Sequence, residues 1–172
     1  MSDLERLIRD VEDYPKPGIV FKDITPLLAN PAAFARACQR MADPFRDARV
    51  TQVVAIESRG FLFGAPIALA LGAGLVPMRK AGKLPHKTSA VSYELEYGSD
   101  RLEVHTDAVG RGSRALLVDD VLATGGTAAA ACALIESLGA EVVGCSFLLR
   151  LGFLDGSKRL AGRHVKSALV FD

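Results

Sequence analysis

The segment LLVDDVLATGGT, residues 116–127, runs from apolar residues into two adjacent acids and then through two glycines that stand between threonines. The apolar residues that lead to Asp119 and Asp120 are typical of a buried strand. The pair Gly125–Gly126 then permits a tight backbone turn. Apolar residues at helical spacing predict a helix from Thr127 to Leu138. This segment therefore predicts a strand that ends in two acids, followed by a glycine turn without bulky side chains and then by a helix.

Further strands and helices alternate along the chain. Short apolar runs predict strands at TQVVAI, GLVPM, RALLVDD, EVVGCSFLL and SALVF. Asn30 followed by Pro31 predicts the start of one helix, and another is expected to run from ESRGF to Leu71. Apolar strands that alternate with helices are typical of a mostly parallel, twisted sheet with helices on both faces. The predicted fold class is therefore α/β.

The N-terminal part of the chain has two predictions of its own. Ser2 and Glu5 match a capping box, and the apolar residues between Leu4 and Val11 share one helical face, which predicts a short amphipathic helix. The segment DYPKPGIVFKDITP is rich in proline and cannot form a regular helix. We therefore expect it to cross the surface as an ordered loop.

Length and composition exclude several classes of protein and favour a single globular domain. The 172 residues suit one domain, and 49% hydrophobic residues suffice for a core. The net charge of +1 offers no basic excess for nucleic acid. Three scattered cysteines predict reduced core thiols and a cytoplasmic location, and three scattered histidines suggest no metal site. The uncharged stretch Gly60–Met78 contains glycines and a proline that predict a helix and then a strand rather than a membrane span.

Unusual polar residues stand where three of the predicted strands end. These segments are ESRGF, RKAGK and DDVLATGGT. In open α/β sheets, ligands bind beyond the carboxyl ends of the strands. If the three ends share one edge of the sheet, they surround a single site.

The residue types in LLVDDVLATGGT predict the chemistry of that site. Exposed amides of the glycine turn and the helix that follows it suit a phosphate, and Thr124 and Thr127 add hydroxyl donors. Asp119 and Asp120 repel a phosphate but accept hydrogen bonds from hydroxyl groups. A sugar that carries a phosphate satisfies both. The alternative is an ordinary strand, turn and helix in which an aspartate caps the helix.

Taken together, these segments resemble the type I phosphoribosyltransferases, and among them the adenine phosphoribosyltransferase family. DDVLATGGT is similar to the phosphoribosyl pyrophosphate (PRPP) motif, ESRGF to the pyrophosphate-side loop, and PGIVFKDITPLL to the base-binding segment. RKAGKLP and YELEYG resemble the mobile catalytic loop. The match covers almost the whole chain. It implies one domain over residues 1–172, with about residues 1–30 contributing to a hood over the base.

The resemblance implies a reaction and a set of site residues. Adenine and PRPP would give AMP and pyrophosphate, with Mg²⁺ carried by the substrate and the protein a homodimer. The implied ribose-phosphate residues are Asp119, Asp120, Ala123, Thr124, Gly125, Gly126 and Thr127. The implied pyrophosphate residues are Ser58, Arg59, Arg79, Lys80 and Lys83, of which Arg59 is also catalytic and the last three serve this site or the partner's. For adenine they are Phe21 and Leu151 on opposite faces, Val20 through its backbone, and Lys22.

Residues Ala81 to Tyr97 match the loop that closes over the active site in this family. SYELEYG and RLEVH predict a hairpin around Gly98. The resemblance gives Glu96 the role of general acid/base toward the adenine ring. The alternative is a solvated hairpin whose charges only keep the protein soluble.

Two positions depart from the family pattern, and two rival functions remain open. Lys22 stands where the family often has arginine, and Arg150 where an acidic residue is common. One rival is a transferase for hypoxanthine or guanine, which Leu151 and the YELEYG loop disfavour. The other is a non-catalytic PRPP sensor for gene regulation. Such sensors usually carry a DNA-binding segment, for which we expect no spare length or basic helix here.

Overall fold

The computed structural model describes residues 2–94 and 99–172, without the side chains of Glu94 and Ser99. Its strands are β1 (Arg9–Glu12), β2 (Val20–Asp23), β3 (Gln52–Ile56), β4 (Gly74–Lys80), β5 (Thr88–Glu94), β6 (Ser99–His105), β7 (Arg114–Leu122), β8 (Glu141–Leu151) and β9 (Val165–Phe171). Its α-helices are α1 (Thr25–Ala29), α2 (Pro31–Ala42), α3 (Gly60–Leu71) and α4 (Gly126–Ser137). Short 3-10 turns cover Glu5–Leu7, Asp43–Ala48, Gly152–Leu154 and Gly156–Leu160.

The main sheet has seven strands in the order β5-β6-β4-β3-β7-β8-β9. Five adjacent strands, β4, β3, β7, β8 and β9, are parallel to one another. Strand β6 is antiparallel to both β4 and β5. The mostly parallel α/β sheet predicted from the sequence is therefore confirmed. The antiparallel pair β5–β6 is the predicted hairpin, whose tip at residues 95–98 lies outside the described residues.

Both faces of the sheet are covered. Val53 of β3 belongs to a hydrophobic layer with α1, α2 and α3, whereas the next residue, Val54, belongs to a layer with α4. Leu116 and Leu117 of β7 divide in the same way. Successive residues of a strand point to opposite faces, so these runs must be apolar throughout. This explains why the strands read as continuous apolar runs in the sequence.

The two N-terminal predictions need correction. The capping box is present, with Ser2 N donating to Glu5 Oε2 at 2.6 Å and Glu5 N donating to Ser2 Oγ at 3.3 Å. The predicted amphipathic helix is wrong, because only Glu5–Leu7 forms a 3-10 turn and the chain then enters β1. The proline-rich segment is also not wholly a loop, since it contains β2, which pairs with β1 in antiparallel fashion.

Other boundaries differ by a few residues. Strand β7 continues through both aspartates to Leu122 rather than ending at them, and β8 extends to Leu151. The start of α2 is as predicted, with Asn30 Oδ1 accepting a hydrogen bond from the Ala33 amide at 3.0 Å. The uncharged stretch forms α3 and the start of β4. Among the described residues, no helix has the length and apolar character needed to cross a membrane.

Candidate active site

A cavity of about 430 Å³ opens at the carboxyl ends of β3, β4 and β7. Because these neighbouring strands are parallel, their ends share one edge of the sheet. The lining residues are Ile56, Glu57, Ser58, Arg59, Lys80, Tyr93, Asp100, Leu102, Asp119, Asp120 and Thr127. We call it the central cavity. The three polar segments singled out in the sequence therefore meet at one place.

Asp119 and Asp120 lie side by side in β7 but have different surroundings. The side chain of Asp120 is 6% exposed and forms an ion pair with Nε of Arg59. Asp119 Oδ1 accepts a hydrogen bond from the Asp120 amide at 2.8 Å. Burial, reinforced by the like charge of Asp120, raises the pKa of Asp119 well above its ordinary value. A polar ligand that donates hydrogen bonds would stabilise the ionised pair.

The start of α3 closes over this acidic pair. A Cβ atom on Gly60 would lie 2.9 Å from Asp119 Oδ1 and 3.0 Å from the carbonyl oxygen of Val118. A glycine at this position therefore lets the helix approach the strand more closely than any other residue would. This contact also limits how far Asp119 can move.

The turn after β7 forms a small pocket of about 80 Å³ in front of α4. Of the predicted ribose-phosphate residues, Asp119, Ala123, Thr124, Gly125 and Thr127 line it. Gly126 begins α4, so the positive end of the helix dipole points toward the turn. We call Ala123–Thr127 the phosphate loop.

A second segment supports the phosphate loop from behind. Gly125 has a φ of +79°, and a Cβ added to it would overlap the carbonyl oxygen of Gly156. In return, a Cβ on Gly156 would overlap the carbonyl oxygen of Ala123 and lie 2.9 Å from the Gly125 amide nitrogen. The backbone of the turn after β8 is thus packed directly against the phosphate loop.

The predicted pyrophosphate residues divide into two groups. Ser58, Arg59 and Lys80 line the central cavity, whereas Arg79 and Lys83 are not among its lining residues. Arg79 instead donates from Nε and Nη2 to the Glu57 carboxylate, each at 3.2 Å, and from Nη1 to the Lys83 carbonyl oxygen at 3.1 Å. Burial alone would raise the pKa of Glu57, but the hydrogen bonds from Arg79 and the Lys80 amide outweigh burial and lower it.

A second, more apolar cavity of about 290 Å³ adjoins the central one. Its lining residues are Ile19, Val20, Phe21, Lys22, Arg59, Asp119, Asp120, Val121, Ala123, Leu149 and Leu151. We call it the apolar cavity. All four residues predicted for adenine are therefore found together, although they come from β2 and β8, which are distant in the sequence.

Arg59 stands between the two cavities and lines both. Its guanidinium carbon lies 5.4 Å from the centre of the Phe21 ring, while Nε pairs with Asp120. The Arg59 side chain is 47% exposed, whereas that of Asp120 is 6% exposed, so moving Arg59 away would leave a nearly buried carboxylate without its partner. A ligand with negative charge that draws Arg59 away must therefore be accompanied by another hydrogen-bond donor to Asp120.

The two positions that depart from the family pattern have different surroundings. Lys22 lines the apolar cavity, but its Nζ pairs with Asp10 at 2.6 Å and lies 4.6 Å from the centre of the Phe171 ring. Its ammonium group is thus already engaged. Arg150 lines another cavity and not the apolar one.

Tyr93 and Asp100 line the central cavity but were not among the site residues predicted from the sequence. Tyr93 and Asp100 are cross-strand partners in β5 and β6, and Tyr93 Oη donates to Asp100 Oδ2 at 3.4 Å. Lys80 Nζ pairs with Asp100 at 3.1 Å, and this hydrogen bond raises the pKa of Lys80. Alternation of Val91 and Tyr93 in the strand could have indicated that Tyr93 faces inward. No comparable signal pointed to Asp100, because its placement depends on the hairpin register.

The predicted general acid/base, Glu96, and its neighbour Tyr97 lie outside the described residues. The hairpin that carries them is described up to the pair Glu94 and Ser99. The part of the hairpin next to the tip adjoins the central cavity, since Tyr93 and Asp100, the pair before Glu94 and Ser99, line that cavity. The role of Glu96 therefore stays a prediction.

Comparison with known proteins agrees with this arrangement. The family model described as "Phosphoribosyl transferase domain" matches residues 24–170. The adenine phosphoribosyltransferase of Myxococcus xanthus is 58% identical over 171 residues, which cover 99% of this chain and 93% of that protein. The crystal structure of the Thermoanaerobacter pseudethanolicus adenine phosphoribosyltransferase has a TM-score of 0.95 at 49% identity, covering 98% of each chain.

A solved complex adds information about ligands. The adenine phosphoribosyltransferase of Saccharomyces cerevisiae, complexed with an imino-altritol bisphosphate and adenine, has a TM-score of 0.90 at 40% identity and covers 96% of each chain. The family match and the sequence identities extend over nearly all of the chain. This chain therefore belongs to the adenine phosphoribosyltransferase family.

Proposed function

We propose that this protein transfers the phosphoribosyl group of PRPP to adenine, which gives AMP and releases pyrophosphate. The observation that carries the proposal is the pair of adjoining cavities, one polar and one apolar, which share Arg59, Asp119 and Asp120. A sugar in the polar cavity and a flat base in the apolar cavity would meet at these shared residues. The reaction joins a base to a sugar at one carbon atom, so it needs this adjacency.

The sugar and its phosphate fit the β7 side of the site. In the proposal, the phosphate loop holds the 5-phosphate through its backbone amides, the hydroxyl groups of Thr124 and Thr127, and the α4 dipole. Asp119 and Asp120 accept hydrogen bonds from the ribose hydroxyls. Charge-assisted hydrogen bonds of this kind contribute about 1.5–3 kcal/mol each, so the acidic pair would supply a large share of the affinity for PRPP.

The leaving pyrophosphate would lie against Ser58, Arg59 and Lys80. As the bond to pyrophosphate breaks, positive charge develops on the sugar and negative charge on the leaving group. Fixed cations beside the leaving group stabilise that transition state more than the ground state. We propose that Arg79 and Lys83 act at longer range, in this site or in that of a partner subunit.

Adenine would bind between Phe21 and Leu151, with the backbone of Val20 facing its edge and Lys22 beside it. Phe21 already contacts Tyr14 in an edge-to-face pair with ring centres 5.3 Å apart. That contact holds the phenylalanine ring in one orientation, which suits stacking against a flat base. In this arrangement Glu96 exchanges a proton with the adenine ring when the hairpin closes.

We propose that Mg²⁺ enters as part of the PRPP complex. Asp119 and Asp120 fit it, because carboxylate oxygens are ligands that Mg²⁺ prefers, and both line the central cavity. Across residues 2–94 and 99–172, no group of three His, Cys, Asp or Glu side chains could hold a metal ion. Bound to the substrate, the ion would neutralise charge on the pyrophosphate.

The test is a product assay with purified protein, PRPP and Mg²⁺, in which adenine, hypoxanthine and guanine are offered separately. We expect AMP from adenine alone, and no AMP when EDTA removes the metal. Nucleotide formation from hypoxanthine or guanine at a similar rate would contradict the base preference. If PRPP binds but no base gives a nucleotide, the protein is a PRPP sensor.

Glu96→Gln is expected to lower kcat by about 100-fold or more, because general acid/base groups contribute about 10²–10⁴-fold. The Kd for PRPP, measured by calorimetry, should change by less than about threefold, or about 0.7 kcal/mol, because Glu96 acts on the adenine ring in this proposal and not on PRPP. Glu94→Gln, on the same hairpin, is the matched control with the same charge change. Turnover that is unchanged in Glu96→Gln would remove Glu96 from the mechanism.

We also propose that the protein is a homodimer in the cytoplasm. Leu62, Leu69 and Leu75, on α3 and β4, are 44%, 84% and 45% exposed and would suit a subunit interface. Sedimentation equilibrium should give a mass of about twice 18.3 kDa, and a monomer would contradict the proposal.

The proposed location in the cytoplasm rests on the cysteines. They are buried free thiols, which suits a reducing compartment. Cell fractionation would test the location.

A further inference from the structure

A third cavity lies apart from the active site, between β8, β9 and the Gly156–Leu160 turn. Its volume is about 380 Å³. Its polar lining comes from Arg150, Ser157, Arg163, Lys166 and Ser167, and no carboxylate is among the described residues that line it. It shares no lining residue with the central cavity, the apolar cavity or the pocket of the phosphate loop. We call it the β9 cavity.

The three cations of the β9 cavity are compensated to different degrees. Arg163 is already held by Glu136, with Nη1 and Nη2 donating to the two carboxylate oxygens at 2.5 and 2.9 Å. Arg150 has no such partner: Nη1 donates to Ser157 Oγ at 3.3 Å, and its buried Nε has no hydrogen-bond partner among the described residues. Within residues 2–94 and 99–172, no ion pair involves Arg150 or Lys166.

An uncompensated, half-buried guanidinium is unfavourable unless an anion completes it. A buried donor that lacks an acceptor costs about 1–3 kcal/mol, and a charged donor costs more. The planar fork of arginine matches the oxygen atoms of a phosphate group better than a lysine does. Arg150, supported by Lys166 and by the hydroxyls of Ser157 and Ser167, thus presents a phosphate-sized group of donors on one concave surface.

We propose that the β9 cavity is a second anion site, which binds the phosphate group of a small molecule through Arg150. Its volume exceeds the needs of inorganic phosphate and falls within the range of about 300–1,000 Å³ that is typical of small-molecule pockets. The remaining walls include Leu160, Val165 and Val170, which would contact an organic part. The ligand class is therefore a phosphate monoester.

The β9 cavity is formed by segments that also line or support both halves of the active site. Arg150 lies in β8 between Leu149 and Leu151, which line the apolar cavity. Ser157 follows Gly156, whose backbone packs against the phosphate loop. The two sites are thus separate cavities on shared segments, and binding at each has to be counted separately.

The test is a calorimetric titration of the purified full chain with inorganic phosphate and, separately, with AMP. Because the active site also takes phosphate groups, the wild-type protein should bind two equivalents of AMP per chain, and one equivalent of inorganic phosphate beyond those that the active site takes. Arg150→Met should weaken one equivalent by at least about tenfold, since charged hydrogen bonds contribute about 1.5–3 kcal/mol. Arg159→Met is the matched control, because Arg159 is exposed on the same turn and outside the cavity lining. It should retain both equivalents.

The two ligands distinguish the source of the phosphate. An Arg150-dependent equivalent that prefers AMP supports a monoester site, and one that binds both ligands equally supports an inorganic phosphate site of the same chemistry. If Arg150→Met binds both ligands as the wild type does, the proposal is overturned. Thermal melting checks that the variant folds. If it does not, Lys166→Gln, at an exposed position, should weaken the same equivalent a few-fold, and unchanged binding would overturn the proposal.

AMP formation is measured on the same variants. It should match the wild type in Arg150→Met and Arg159→Met at saturating substrates, because neither residue lines the active-site cavities. Loss of the second equivalent with full activity therefore identifies the β9 cavity. A wild-type protein that forms no AMP would instead contradict the proposed function and leave the binding count intact.

Discussion

Gly125→Ala is expected to weaken PRPP binding by about 100-fold or more and to lower the melting temperature by about 5 °C or more. Two effects combine at this position. The φ of +79° costs an alanine about 1–2 kcal/mol. The new methyl group would also overlap the Gly156 carbonyl oxygen, and this backbone cannot move away without displacing the phosphate loop. Overlaps of this kind cost about 1–3 kcal/mol more.

Gly112→Ala separates these two effects. Gly112 has a similar φ of +88°, but no heavy atom of the described residues lies within 4 Å of its added Cβ. This control should lose only the backbone cost of about 1–2 kcal/mol of stability and keep its PRPP affinity. Calorimetry with PRPP and thermal melting measure both quantities. If Gly125→Ala and Gly112→Ala behave alike, the packing of the Gly156 backbone against the phosphate loop contributes nothing to binding.

Asp119→Asn is expected to stabilise the free protein at neutral pH while it weakens PRPP binding by about 10-fold to 100-fold. Burial and the neighbouring Asp120 raise the pKa of Asp119, so folding disfavours its ionised form. Asparagine removes the charge and keeps an oxygen that can accept the hydrogen bond from the Asp120 amide. The free energy of unfolding of the ligand-free protein should therefore be higher in Asp119→Asn than in the wild type.

The pH dependence of this gain has a definite sign. A carboxyl group whose pKa is raised in the folded state destabilises the protein once it ionises. The penalty is absent below the ordinary value of 3.8, grows as pH rises toward the folded pKa, and is complete above it. The advantage of Asp119→Asn should therefore vanish in acid and be largest at neutral or alkaline pH.

Urea unfolding at several pH values, with Asp107→Asn as control, measures this stability difference. Asp107 is exposed, and the control removes the same charge without changing the site. A lower stability of Asp119→Asn at neutral pH would mean that the ionised carboxylate stabilises the fold. Unaltered PRPP affinity would count against ribose recognition by Asp119.

The sequence predicted those parts of the fold in which local pattern and tertiary packing agree. The strand, turn and helix around residues 116–127 is one example. The helix that starts at Asn30 is another. In both examples, a residue that favours a turn or a helix start, such as Gly125 or Pro31, stands at the boundary between two secondary-structure elements.

The prediction failed where distant contacts decide local structure. Leu4 and Ile8 are buried as a helix would require, but an isolated helix of about two turns is marginal in water. Pairing between Val11 and Phe21 instead supplies β-sheet hydrogen bonds to this segment. That pairing cannot be inferred from the spacing of apolar residues within either segment.

For the candidate site too, local motifs were predictable from the sequence, whereas side chains that depend on distant contacts were not. Residues within one motif, such as Asp119 and Thr127, were identified from the sequence and line the same cavity. Asp100 was missed because its position depends on the hairpin register, and the side-chain direction of Arg150 could not be inferred from a strand that is apolar on both faces. The family pattern grouped Arg79 with Arg59, but the Glu57 carboxylate holds Arg79 outside the cavity lining.

The position of Arg59 between Asp120 and Phe21 makes the two halves of the active site energetically interdependent. One guanidinium covers a carboxylate and approaches an aromatic ring, so an anion that attracts it uncovers both surfaces in a single movement. The resulting coupling free energy is reciprocal, because a base that displaces Arg59 from the ring must favour the anion to the same extent. Titrating adenine in the presence and absence of pyrophosphate measures this coupling, and equal affinities would exclude it.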